Sequence, residues 1–470
     1  MVKGLLMNGH EAMTDTRPDQ TTLHIGYGAG FAGDRPLAAL ALARDLASRH
    51  GPRYLALELL AERTLAQCQQ RRHDDERSGY ALRLFDFLEP ILPICLESRI
   101  PVITNGGAAH PVAAAYRLRT WLDAQGFHNA RIACVLGDDL VEQLGTTPAP
   151  DWLPEDVVLD EVVSCNVYIG AERIQQALEE GADIVLCGRV ADPSMAVGAI
   201  RHGLGWSADD PGLTAIALAT GHLLECCTQI TGGYFADPIT NPIPDPAHPG
   251  CPIIELGAEG QLIVTKTAGT GGMVSARTVK EQLLYEIHDP AAYLTPDGVM
   301  DISRAQVIDH GDNRVEVRGI QGRPAPATLK GNLGLKGLWF GEAGISYAGP
   351  RALARAQLAR EIVMARAAEL TPNLAPRLDI VGFCSVLGDA GGAVISQRPD
   401  IEDGVDDVRL RLGIVDRDRG AIQALLDDFE SLYTNGPAGG GGIRTHLVES
   451  LRTEDFLIDR HAVSTFLAWY

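Results

Sequence analysis

Short apolar runs alternate with amphipathic stretches through the first half of the chain. Leu23–Gly26, Tyr54–Leu59, Pro101–Thr104, Arg131–Leu136, Val162–Val167 and Ala182–Cys187 are continuous apolar or nearly apolar runs. Between them lie Pro36–Arg49, Leu60–Gln70, Tyr80–Glu97, Pro111–Gln125, Ala171–Glu180 and Pro193–His202, which read as helices. Buried strands that alternate with covering helices predict an α/β fold: a doubly wound, mainly parallel sheet with helices on both faces.

The pattern changes after Tyr234. Asp237–Cys251 holds prolines 238, 242, 244, 246 and 249, the punctuation of a long irregular connection. Beyond it alternating strands dominate. Ile253–Leu256 with Gln261–Lys266, and Ala305–His310 with Arg314–Gly319, read as hairpins. Leu329–Leu335, Trp339–Tyr347, Leu378–Cys384, Val408–Val415 and Ile443–Ser450 read as further strands, with helices over Val274–Ile287, Pro350–Glu369 and Arg419–Tyr433. The expected organisation is a disordered lead-in (1–20), an α/β domain (21–240) and a smaller α+β C-terminal domain (241–470).

The first strand runs into Gly26-Tyr27-Gly28-Ala29-Gly30-Phe31-Ala32-Gly33-Asp34-Arg35-Pro36. Gly28, Gly30 and Gly33 have the spacing of a dinucleotide fingerprint. However, Pro36 suits the first helical position, and Arg35 before a proline is pushed out of helical geometry. The helix then starts beyond the third glycine, and the glycines form an anion- or substrate-binding loop. Glu58, 25 positions beyond Gly33, stands about where a ribose-binding acid would be. Its alternative is a strand-end acid facing solvent or a base.

The same design recurs at other strand ends: Thr104-Asn105-Gly106-Gly107 before Pro111, Gly137-Asp138-Asp139, and Gly188-Arg189-Val190-Ala191-Asp192 before Pro193. In a parallel sheet these junctions share the carboxyl rim, where open α/β folds bind ligands. Helix capping accounts for acids such as Asp34 and Asp192. It does not call for Arg35 and Arg189, because a cation beside a helix N-terminus is unfavourable without an anion nearby. Asp34, Asp138, Asp139 and Asp192 are candidate proton carriers; Gly28, Gly30, Gly33, Arg35, Asn105, Gly106 and Arg189 are candidate substrate-binding residues.

Two later stretches add candidates. In Gly221–Cys227, His222, Glu225 and Cys226 share one helical face, a candidate catalytic acid–base pair or thiol–imidazole pair. Thr231-Gly232-Gly233-Tyr234-Phe235 is a tight loop that brings amides toward an oxyanion. In Lys266-Thr267-Ala268-Gly269-Thr270-Gly271-Gly272 the lysine precedes its glycines, unlike a nucleotide-binding P-loop. Lys266 and Gly271 are therefore placed as a further substrate-binding wall. No metal site is expected, since Asp138 and Asp139 lack a third ligand at motif spacing.

A formal net charge of −21 argues against nucleic acid and anionic membranes as partners. It leaves room for one small anionic ligand in a local basic spot. The nine cysteines show no C-x-x-C, which is reducing-compartment usage, and no run approaches the ~18 apolar residues of a membrane span. A cytoplasmic homo-oligomer is expected.

The ordered motifs resemble the acyclic terpene utilisation family, AtuA. They are the loop ending Gly-Asp-Arg-Pro at 33–36, Thr-Asn-Gly-Gly at 104–107, Gly-Asp-Asp at 137–139 and Gly-Arg-Val-Ala-Asp at 188–192. Gly-His-Leu-Leu-Glu-Cys at 221–226, Gln-Ile-Thr-Gly-Gly-Tyr-Phe-Ala-Asp at 229–237 and Thr-Lys-Thr-Ala-Gly-Thr-Gly-Gly at 265–272 continue the series. So do Glu-Gln-Leu-Leu-Tyr-Glu-Ile at 281–287 and Tyr-Thr-Asn-Gly-Pro-Ala-Gly-Gly-Gly-Gly at 433–442. The extra C-terminal ferredoxin-like domain of some members is not expected here. The resemblance implies work on branched acyl-CoA thioesters in citronellol and geraniol breakdown, and a lyase role on a 3-hydroxy-3-isohexenylglutaryl-CoA-like substrate. It supplies no catalytic residues.

The expected function is a lyase or hydratase on an anionic thioester or carboxylate, possibilities that include a CoA thioester. No cofactor is assigned. The alternatives are an NAD(P)-dependent oxidoreductase using the 28–33 glycines with Glu58, and a non-catalytic partner of an acyl-CoA-processing complex.

Overall fold

Strand β1 (Leu23–Tyr27) is the axis from which the main sheet grows in both directions. On one side lie β2 (Arg53–Leu57), β3 (Val102–Thr104), β4 (Ile132–Leu136) and β6 (Ile184–Cys187), all parallel to it, in the order β1-β2-β3-β6-β4. Strand β5 (Val162–Val167) stays off this sheet. On the other side β7 (Pro252–Leu256) and β8 (Leu262–Lys266) run antiparallel, and a second hairpin extends them. The computed structural model describes residues 22–145, 150–386, 388–389, 393–394 and 405–470. The expected lead-in, 1–20, lies outside the described residues.

Successive residues of β2 show why both faces are covered. Leu55 and Leu57 join one core with α1 (Pro36–Ser48), α3 (Leu84–Glu97) and α4 (Pro111–Ala124). Tyr54 and Ala56 join the other with α5 (Glu172–Glu179), α6 (Ser194–Leu204) and α7 (Pro211–Glu225). Side chains alternate across a strand, so a continuous apolar run serves two helical layers at once. Helix α2 (Glu62–Asp74) follows β2 and precedes α3.

The remaining elements are α8 (Ala276–Leu284), β9 (Tyr293–Leu294), β10 (Val299–Asp301), β11 (Gln306–Asp309), β12 (Val315–Arg318) and β13 (Gln321–Arg323). They are followed by β14 (Thr328–Ala348), α9 (Ala352–Leu370), β15 (Arg377–Val381), β16 (Asp407–Asp416), α10 (Arg419–Glu430) and α11 (Leu432–Asn435). The last are β17 (Gly441–Asp459) and β18 (Phe466–Trp469). The full main sheet is β11-β12-β8-β7-β1-β2-β3-β6-β4-β18; β9, β10 and β13 form a small separate sheet.

Residues up to Gly334 together with Glu454–Tyr470 make up one compact unit, and Leu335–Thr453 a second. The second holds the sheet β15-β16-β14-β17, with α9 and α10 contributing to its own core. The boundary expected near residue 240 falls inside the first unit. The physical reason is register: Ile254 and Ile253 of β7 pair with Ile25 and Gly26, so the proline-rich connection leads back into the first sheet. Two expected strands, Leu329–Leu335 and Trp339–Tyr347, are one continuous strand, β14.

Candidate active site

A crevice of about 480 Å³ opens at the carboxyl rim of the parallel strands in the larger unit. Its walls come from the segments following β1, β2 and β6, from the end of α7, and from Tyr285 and Glu286 beyond α8.

The glycine loop supplies Gly30, Phe31 and Asp34. Pro36 is the first helical residue, and Arg35 is extended at φ −93° and ψ 111°. Asp34 Oδ2 accepts from the Gly30 amide at 2.6 Å, and its pKa is raised because burial outweighs that bond. The glycines have separate tasks. A Cβ at Gly28 would come 2.8 Å from Ala39 Cβ, so this glycine lets β1 approach α1. One at Gly30 would lie 2.5 Å from the Cys226 backbone, so this one lets α7 close on the loop. One at Gly33 would meet the Phe31 ring at 2.4 Å.

Glu58 follows β2 and is 4% exposed, so it faces neither solvent nor a salt-bridging base. Asn105 Nδ2 donates to its Oε1, as does the Leu60 amide at 3.2 Å, while Asn105 Oδ1 accepts from the Leu59 amide at 2.8 Å. The other oxygen, Oε2, has no hydrogen-bond partner. Burial first, and then the Asp192 charge, push this carboxyl well above its ordinary range, with Arg189 and Asn105 opposing. Burial with one oxygen unmatched favours the protonated form of this carboxyl.

Arg189 follows β6 and is 2% exposed. Its amide donates to Asp138 Oδ2 at 2.7 Å, Nη1 donates to the Leu60 carbonyl at 3.2 Å, and Nη2 lies 3.1 Å from Asp192 Oδ1. That last contact is an ion pair without hydrogen-bond geometry, since Asp192 Oδ1 has no such partner. The guanidinium stacks 4.0 Å above the Tyr168 ring, and the Tyr168 hydroxyl donates to Glu62. Burial works against ionisation of Glu62, yet Arg189 and Tyr168 outweigh it and hold the pKa below the ordinary value.

At the end of α7, His222 Nδ1 lies 2.9 Å from Glu225 Oε1, both residues being buried. His222 Nε2 and Glu225 Oε2 have no partners. Burial pushes the Glu225 carboxyl up to about 7 against the pull of His222. The pair therefore holds a proton near neutrality. Burial pushes the Cys226 thiol up, so it is a poor nucleophile. Cys227, just beyond α7, and Glu286, beyond α8, adopt left-handed φ of 45° and 57°, unusual for non-glycine residues.

Of the residues singled out from the sequence, Gly30, Asp34, Glu58, Arg189, Asp192, Glu225 and Cys226 line the crevice, as does Tyr234 of the tight loop, with His222 bonded to Glu225. Others fall outside its lining. Arg35 is exposed and donates to the Ala247 carbonyl. Asp138 is buried beneath Arg189, and Asp139 pairs with Arg72 at 3.0 Å. Asn105 acts through Glu58, and Gly106 packs against Leu84. Lys266 Nζ donates to the Thr270 carbonyl at 2.8 Å, closing its own loop, and Gly271 packs on the Asp245 backbone. Sequence reasoning missed Glu62, Gln229, Tyr285 and Glu286. Glu62 was signalled by its place four residues after Glu58, and Tyr285-Glu286 by the 281–287 motif.

Among the described residues no group of three or more His, Cys, Asp or Glu side chains is arranged to hold a metal ion, and no helix is long and apolar enough to cross a membrane. No curated protein and no solved structure matches the chain. Residues 23–468 match the family described as acyclic terpene utilisation family protein AtuA, and the chain belongs to that family.

Proposed function

We propose that the crevice is the active site of a lyase or hydratase acting on a branched acyl thioester in acyclic terpenoid catabolism. The observation that carries this reading is a pair of proton-holding centres in one crevice. Glu58 stands on the β2 side, and the His222–Glu225 pair on the α7 side. Both carboxyls feel the Asp192 charge, and both are raised toward the pH range in which acid–base catalysts work. Family membership supports the terpenoid setting.

In a retro-aldol cleavage, one centre takes the proton of the 3-hydroxyl. The bond between C2 and C3 breaks, C3–O becomes a carbonyl, and the electron pair stays on C2 as an enolate. The other centre returns a proton to C2. In dehydration the base takes the C2 proton, the acid protonates the departing hydroxyl, and water leaves as C2=C3 forms. Either route develops negative charge on the thioester oxygen, which the Arg189 guanidinium stabilises. Of the three cations expected to hold the substrate, Arg189 alone lines the crevice. The nicotinamide alternative is weakened, because Gly28 and Gly30 of its fingerprint are taken up by packing against Ala39 and the Cys226 backbone, and the helix starts only at Pro36.

The test is turnover of a branched 3-hydroxyacyl-CoA and the matching 2-enoyl-CoA by the purified chain, followed by thioester absorbance and carbonyl product. Glu58→Gln is expected to lower kcat about 10²–10⁴-fold. Absence of turnover on both substrates, or an unchanged rate in the variant, overturns the proposal.

A further inference from the structure

We infer that the mouth of the crevice is a binding site for an aliphatic chain, so that its ligand is an amphiphile with one neutral carbonyl head and an uncharged tail. The proposal rests on the acid–base reading for which end enters, and adds what holds the other end.

Phe31 is 59% exposed and Tyr234 71% exposed, and both line the crevice. Single exposed apolar side chains are ordinary on a protein surface; several converging on one polar cavity are not. Tyr285, which also lines it, lies with its ring centroid 6.1 Å from that of Tyr234, and Phe235 lies 5.6 Å from Tyr234 and 6.3 Å from Tyr285. These edge-on contacts stiffen an aromatic wall without covering it. The lip is thus continuous with the acid–base centres.

Charge fixes the head. Arg189 is the one cation among the described lining residues, and Asp192 already opposes it. A second anionic group would face Asp34, Glu62 and Glu286 with nothing to pair it. A thioester carbonyl needs only a donor, which the guanidinium provides through Nε, a nitrogen without a partner in the protein.

The test is calorimetric binding of N-acetylcysteamine thioesters, which carry no phosphates, to the full chain. Affinity is expected to rise about fourfold per methylene from butanoyl to octanoyl where the chain is buried. A terminal carboxylate on the octanoyl chain should lower affinity at least tenfold. Phe31→Ala and Tyr234→Ala should each reduce the octanoyl-to-butanoyl ratio several-fold, and Tyr234→Leu, which keeps apolar area, should restore most of it. A flat series in the parent protein, or ratios unmoved in both alanine variants, overturns the lip. A steep series without turnover of any acyl-CoA overturns the lyase or hydratase reading and leaves the lip standing.

Discussion

The segments following β6 and β4 are built alike and end up with different work. Each follows a parallel strand, and the two strands pair directly through Ala133 with Val185 and Cys134 with Leu186. Each begins with a glycine and carries two charged residues: Gly188, Arg189 and Asp192 after β6, and Gly137, Asp138 and Asp139 after β4. Arg189 and Asp192 line the crevice. Asp138 instead turns beneath it, accepting from the Arg189 amide at 2.7 Å and from Asn166 Nδ2 at 2.9 Å, and Asp139 reaches Arg72. Charge at a strand end becomes available to a ligand only where the protein has not already satisfied it. After β4 both acids find donors within the protein, and one of those donors belongs to the neighbouring junction. The second junction is therefore scaffolding for the first.

Breaking the β6 junction is expected to cost most. Arg189→Met leaves Asp192 without its cation and should lower stability by about 2–4 kcal/mol, less than for a wholly buried pair because the Asp192 side chain is 35% exposed. Chemical denaturation measures it, and a loss under 1 kcal/mol would show that the cation is not needed there. Gly188→Ala comes next. Its Cβ would lie 2.4 Å from Asp138 Oδ1, and forcing the two junctions apart should cost about 1–3 kcal/mol and lower turnover.

Asp138 gives the comparison a pH signature. Burial pushes its carboxyl up to about 7, against the bond from the Arg189 amide. The folded state therefore binds its proton more tightly than the unfolded chain. Its contribution to stability is full below about pH 4 and is lost as pH rises through about 7. Asp138→Asn should flatten that decline, by at most about 4 kcal/mol from the size of the shift. Melts at pH 4, 6 and 8 decide it, and parallel curves for the two proteins would remove Asp138 as the source. The smallest effect belongs to Asp139→Ala. Its pair with Arg72 is part-exposed, so a loss under about 1 kcal/mol with unchanged turnover is expected. A large loss of turnover would return Asp139 to the catalytic set.

The contrast between these junctions also marks how far the sequence could be read. The parallel strands, the helix start at Pro36 and the rim as the place of a crevice were legible, because periodicity and proline act locally. Which way each acid turns was not. Asp138 and Asp192 are both strand-end acids, and only the neighbouring amide of Arg189 and the side chain of Asn166 draw the first inward. Glu58 illustrates the same limit: its raised carboxyl depends on burial and on the charge of Asp192, which sits on another strand end. The return of β7 and β8 to the first sheet was likewise hidden, since alternation announces a strand and says nothing about its partner.

One end of the main sheet bears on how the chain reaches its fold. The edge of β4 is covered by β18, with Tyr470 and Ile132 exchanging backbone hydrogen bonds at 3.1 and 2.9 Å and Arg131 stacked 4.6 Å over Trp469. Strand β4 is made early on the ribosome and its cover late, so its open edge waits through most of synthesis for a pairing of very high contact order. An apolar strand edge left unpaired is a template for aggregation. Anything that weakens this pairing, such as Ala468→Pro within β18, should therefore lower the yield of soluble protein before it changes the crevice.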